Sequence, residues 1–134
     1  MGVVIADYAL EPPPTTRLLW RGLRRRCPLC GAGNLFERWI VMVPDCPRCR
    51  LHFERVEGHW IGAIGLNTVV SFAALLLVVA GGTFLTMPDV PLVPLVLASL
   101  LTALVMPVLF QPVSRTLWTA IDLDVRPLMA DELT

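Results

Sequence analysis

The chain has 134 residues, 55% apolar and 16% charged, whereas an average soluble domain is about a quarter charged. That length allows one modest domain or a small module with membrane spans, and it excludes a soluble core large enough to cover two long apolar helices. Formal net charge is zero, but the charges are unevenly placed.

Residues 1–14 read as a flexible tail, in which Glu11-Pro12-Pro13-Pro14 cannot be helical and runs extended. Its first ten residues carry Asp7 and lack a basic start and a long apolar core, so no signal peptide is expected. Residues 15–26 form a basic interfacial segment. Thr15 or Thr16 can cap a short helix, with Leu18, Leu19, Trp20 and Leu23 on an apolar side. Arg17, Arg21, Arg24, Arg25 and Arg26 make a basic side that suits anionic lipid headgroups. A basic linker with chance apolar residues is an equal alternative.

Residues 27–57 carry the metal chemistry. Cys27-Pro28-Leu29-Cys30-Gly31 and Cys46-Pro47-Arg48-Cys49-Arg50 are two knuckles with fifteen residues between Cys30 and Cys46. This is the spacing class of a structural zinc site. Two thiolates of one knuckle reach one ion, and two knuckles complete a tetrahedron. The expected fold is therefore a small β zinc ribbon with Cys27, Cys30, Cys46 and Cys49 as ligands to Zn2+. A module of about thirty residues cannot fold on its own core, and chains below about 40 usually need metal or disulfides. Iron is the main rival occupant, and a redox-active pair fits less well with a closed set of four thiolates. Gly31 permits the turn after the first knuckle; Arg50 replaces that glycine in the second, so a less relaxed turn is expected there. With four cysteines present, His52 reads as a surface histidine rather than a ligand.

Residues 58–112 read as a hairpin of two transmembrane helices, about 61–86 and 91–111. No residue is ionisable from 61 to 87 or from 90 to 114, and roughly 20 apolar residues cross a bilayer core. His59 and Trp60 stand at the mouth of the first span, with Trp118 beyond the second. Ala63, Asn67, Ser71, Ala74 and Val78 share one face of the first helix, and Ala98, Ser99, Thr102 and Ala103 supply small or polar groups on the second. Such faces pack and bond across a hairpin seam or an oligomer contact. Pro107 removes one donor and frees the carbonyl of Ala103. Residues 113–127 read as an interfacial helix, with Leu117, Trp118 and Ile121 at helical spacing, and 128–134 as a tail. All eleven basic residues are arginines, and all lie outside the hairpin. Positive segments stay in the cytoplasm, so both termini are expected there.

No nucleophile–base pair, P-loop or dinucleotide fingerprint is found, so an enzyme is not expected. With knuckles and spans placed, the pattern resembles the DUF983 family of small bacterial membrane proteins over about residues 17–126. The carrying residues are Arg21-Gly22-Leu23-Arg24 before the first knuckle, Asn34-Leu35-Phe36 between the knuckles, Glu57-Gly58-His59-Trp60-Ile61-Gly62-Ala63 at the first span, and Ser114-Arg115-Thr116-Leu117-Trp118 after the second. Many relatives have Gly-Asp-Gly where this chain has Gly58-His59-Trp60, so no role of that acidic residue carries over. The resemblance implies a multi-pass protein of the bacterial inner membrane, without assigned activity. Some members are associated with respiratory-oxidase assembly genes.

The leading functional expectation is a non-enzymatic docking or assembly factor for a membrane complex, or a homo-oligomer. The alternative is a zinc- or redox-responsive membrane regulator. Nucleic-acid binding through the arginines ranks last, because no aromatic stacking face accompanies them.

Overall fold

The computed structural model describes residues 13–128. The expected tails, 1–14 and 128–134, fall almost entirely outside the described residues. Three helices follow one another: α1 (Thr15–Leu23), α2 (His59–Thr86) and α3 (Leu92–Val125). The cysteine module lies between α1 and α2.

Each helix boundary has a local cause. α1 follows Pro14, whose fixed φ suits a helix entrance. Thr15 does not cap it; its hydroxyl donates to Asp124 Oδ1 at 2.5 Å, tying the start of α1 to the end of α3. α2 begins after Gly58, which sits in the left-handed region at φ 78°, and ends at Thr86, because Met87 is extended, as the ring of the following Pro88 favours. Residues 87–91 connect the hairpin. Pro94 is tolerated because it falls in the first turn of α3, where backbone donors have no helical partner.

α2 and α3 are long and apolar enough to cross a membrane, and their most apolar stretches are only 11% and 0% buried within the chain. The helix at the centre of a soluble protein would be covered by its neighbours. Here Ile61, Leu77, Phe84, Leu85 and Leu104 stand exposed. Where a separate interfacial helix is expected after Pro112, α3 instead runs unbroken through Pro107 and Pro112 to Val125. Its last third is held by packing: Pro112, Ser114, Thr116, Thr119, Ala120, Asp122 and Leu123 are buried.

α1 covers part of that last third. Gly22 lies so close to α3 that an added Cβ would come within 3.0 Å of Ala120 Cβ, Leu117 Cα and the Thr116 carbonyl. The Thr116 hydroxyl donates to the Gly22 carbonyl at 2.6 Å, buried between the helices. The basic interfacial segment is thus docked on the protein itself along its Leu18 and Gly22 side.

The module departs from the expected β ribbon. Among the described residues there is no strand; two isolated antiparallel bridges, Phe36 with Met42 and Asp45 with His52, take its place. The reason is length. The first bridge is flanked by the bonds Val43 N–H to Leu35 O and Glu37 N–H to Val41 O, at 2.8 and 2.9 Å. The second is flanked by Cys46 N–H to Leu51 O and Phe53 N–H to Pro44 O, at 2.9 and 3.1 Å. Neither pair of arms extends far enough for a ladder before the chain must turn into a knuckle.

Candidate metal centre

The two knuckles are built alike. Gly31 N–H donates to Cys27 O at 2.8 Å, and Arg50 N–H donates to Cys46 O at 3.0 Å. Each knuckle then closes through the N–H of its first cysteine, Cys27 to Ala32 O and Cys46 to Leu51 O, both at 2.9 Å. The repeat explains the backbone at the fifth position, which is left-handed in both: φ 75° at Gly31 and 64° at Arg50. Glycine adopts this freely, whereas a side chain costs about 1–2 kcal/mol. The second turn is less relaxed, as the arginine there implies.

Four cysteines converge from the two knuckles. The sulfurs of Cys27, Cys30, Cys46 and Cys49 all lie within 4.8 Å of one another. Sγ of Cys27 is 3.6 Å from that of Cys49, and Cys30 is 3.6 Å from Cys46. A tetrahedron of sulfurs about 2.3 Å from a central ion has edges of about 3.8 Å, so the four are positioned to hold one metal ion. None is in a disulfide, and Cys27, Cys46 and Cys49 are buried with Cys30 partly so. Each thiol's acidity is set by hydrogen bonds from the others. The hydrogen bond from Cys27 draws Cys30 down to about 6 and also holds Cys46 below the ordinary thiol range. Bonds to Cys30, then Cys46 and Cys49, with burial, push Cys27 up.

Around the sulfurs, Leu29, Leu35, Met42, Leu51 and Phe53 complete a small core, and Leu123 of α3 belongs to it. Arg21, expected against lipid, turns inward instead: its guanidinium donates to the carbonyls of Pro28 and Leu29 at 3.2 and 2.6 Å. It also packs over Gly31, where a Cβ would meet its Nε at 3.2 Å. His52 is exposed and bonds Asp45 at 2.8 Å, apart from the sulfur set.

The module is joined to the hairpin by a buried polar junction that sequence reasoning missed. Arg55, just past the module core, pairs with Asp122 of α3 at 3.0 Å, their side chains 6% and 8% exposed. Arg55 also donates to the carbonyls of Arg126 and Pro127, at 2.8 and 3.3 Å. His59, the first residue of α2, is buried against α3, with Nε2 3.4 Å from the Thr119 hydroxyl and Nδ1 4.0 Å from Asp122. Gly62 admits Trp118: a Cβ there would lie 2.0–2.6 Å from the indole. The one available signal is Asp122 itself, the single charged group among the buried residues of α3.

Asn67 is at the hairpin seam, donating to the Pro107 carbonyl at 3.1 Å and to Gln111 Oε1 at 2.8 Å. The hydroxyls of Ser99 and Thr102, expected to bond across the seam, return to their own helix at Leu95 O and Ala98 O, both at 2.8 Å. Compared with protein-family models, with curated proteins and with solved structures, the chain matches none.

Proposed function

We propose that this is a multi-pass protein of the bacterial inner membrane in which a structural zinc site fixes a docking module on a two-helix anchor. In this reading the module recruits or stabilises a membrane complex, in keeping with the resemblance to the DUF983 family and the respiratory association of some members. The observation that carries it is the junction between module and hairpin. Leu123 of α3 belongs to the module core and Asp122 pairs with buried Arg55, so the module is held at a fixed attitude rather than tethered. Four thiolates close the coordination shell and leave no position for substrate, which supports a structural metal. Zinc suits the four-thiolate set, and iron is the second candidate for the same sulfurs. All arginines lie outside the hairpin, which supports cytoplasmic termini.

The test is purification of C-terminally tagged protein from native membranes in mild detergent, beside a Cys27→Ser/Cys30→Ser variant. The expected result is one zinc per chain and a stoichiometric partner that the variant loses. Zinc-loaded protein that retains no partner under cross-linking overturns the docking reading.

A second reading, a zinc- or redox-responsive regulator, has one observation in its favour: Cys30 is partly exposed while its three companions are buried. Zinc released by mild oxidant, together with a changed partner contact, would favour it; zinc that resists both oxidant and chelator would remove it.

A further inference from the structure

The end of α1 is a Schellman motif with an arginine where glycine belongs. Arg26 N–H donates to Arg21 O at 2.9 Å and Arg25 N–H to Gly22 O at 3.1 Å, the bond pair that defines this helix stop. Arg25 occupies its left-handed position at φ 57°. Strained side-chain positions persist where the surrounding structure holds them, and they cluster at binding sites. The turn throws Arg24, Arg25 and Arg26 around one wall of a cleft of about 510 Å³. The opposite wall is the loop between the knuckles, with Glu37, Arg38 and Trp39. Arg25 stacks over the Trp39 ring at 5.2 Å. Among the described residues none of these four arginines is ion-paired with a carboxylate. Four arginines therefore line one open cleft that holds a single acid, with the Arg24 guanidinium resting on Trp20 at 4.5 Å.

The position of the cleft selects its occupant. Trp39 Nε1–H donates to the carbonyl of Val108, within the apolar part of α3. Trp39, Ile40 and Val41 are all exposed beside it. An apolar loop tip thus lies against a lipid-length helix, and Trp39 on that tip lines the same cleft as the arginines.

We propose that this cleft binds the phosphate of an anionic phospholipid, with Arg24, Arg25, Arg26 and Arg38 on the headgroup and the acyl chains passing Ile40 and Val41. The inference rests on the membrane placement proposed above and narrows the basic surface to one site. Arg38, on a loop far along the chain from the α1 arginines, is the member that charge counting on one helix leaves out.

The test has two stages. Membranes are first washed with alkaline carbonate; extraction of the chain overturns the membrane placement itself. Purified zinc-loaded full-length protein is then delipidated in detergent and titrated by native mass spectrometry with phosphatidylglycerol, phosphatidylcholine, inorganic phosphate and a single-stranded oligonucleotide. Phosphatidylglycerol is expected to bind at least tenfold tighter than phosphatidylcholine. Arg26→Gln/Arg38→Gln is expected to weaken it about thirtyfold, two arginines at roughly 1 kcal/mol each. Arg17→Gln/Arg48→Gln removes the same charge outside the cleft and is expected to change it by less than about threefold. Arg25→Gly separates fold from site: it relaxes the helix stop, so thermal stability holds or rises while lipid affinity falls about fivefold. Equal losses in both double variants would reduce the effect to diffuse charge and overturn the site. So would inorganic phosphate or the oligonucleotide binding as tightly as the lipid, or an Arg25→Gly protein with undiminished lipid affinity. Zinc content at one per chain certifies each variant as folded.

Discussion

The indole N–H of Trp39 reaches the carbonyl of Val108 at 2.9 Å, and that carbonyl is free because Pro112, four residues on, has no N–H to offer it. A loop of the metal module thus satisfies a backbone acceptor that a proline left open in α3.

The shared carbonyl makes these two residues thermodynamically coupled. Trp39→Phe should lower stability in detergent by about 0.5–1.5 kcal/mol, the net worth of one hydrogen bond, with metal content unchanged. Pro112→Ala returns a helical donor to Val108, so the same Trp39→Phe change should then cost less. A double-mutant cycle read by thermal unfolding checks this, and strict additivity would show that the bond contributes nothing.

Arg55 and Asp122 form a nearly dry ion pair. Asp122→Ala leaves the guanidinium without its counter-charge and should destabilise the protein by about 3–5 kcal/mol. Arg55→Met/Asp122→Leu, which removes both charges, should be milder than either single loss. Thermal unfolding with metal retention as a second readout measures the difference; a double variant as weak as the sum of the singles would contradict the buried-pair picture.

Gly62→Ala sets two effects against each other. Alanine is the better helix former by about 1 kcal/mol, but its methyl would sit 2.0–2.6 Å from the Trp118 ring. The clash should win, with a net loss of about 1–3 kcal/mol. Trp118→Leu in the same chain should recover part of that loss. A neutral Gly62→Ala would mean that the indole has room to move.

At the knuckles the two equivalent turns predict opposite signs. Gly31→Ala forces a methyl group into the left-handed region and against Arg21, and should speed transfer of the bound metal to a chelator. Arg50→Gly relaxes the matching turn and should slow it. Colorimetric chelator competition gives both rates, and equal rates would show that turn strain does not govern metal retention.

The features visible in the sequence are those that repeat at short range. The four cysteines declare themselves by spacing within each knuckle, and the apolar helices by runs without an ionisable residue. The strained turn at Arg50 was legible because its partner position holds Gly31. The β character did not follow, because a knuckle needs only one bridge to close and the spacing of cysteines says nothing about how far its arms pair. The joint between the two halves was hidden for a different reason. Thr116 meets Gly22 across 94 residues and Arg55 meets Asp122 across 67, and single long-range polar contacts leave no period. His59 reads as a membrane-mouth residue because Trp60 follows it; its neighbours Thr119 and Asp122 come from α3 beyond Pro112, which no local pattern announces.

The continuity of α3 sets a distance. Its 34 residues at about 1.5 Å each make a rod of about 51 Å, against a hydrocarbon core about 30 Å thick. With the apolar end spanning, about 20 Å of rigid helix stands clear of the core, and the metal module is clamped to that mast by Arg55 and Leu123. On the membrane placement proposed above, the protein becomes a gauge of height: the module's surface lies within one helix-mast of the bilayer, and the docking reading confines a partner to surfaces presented at that level.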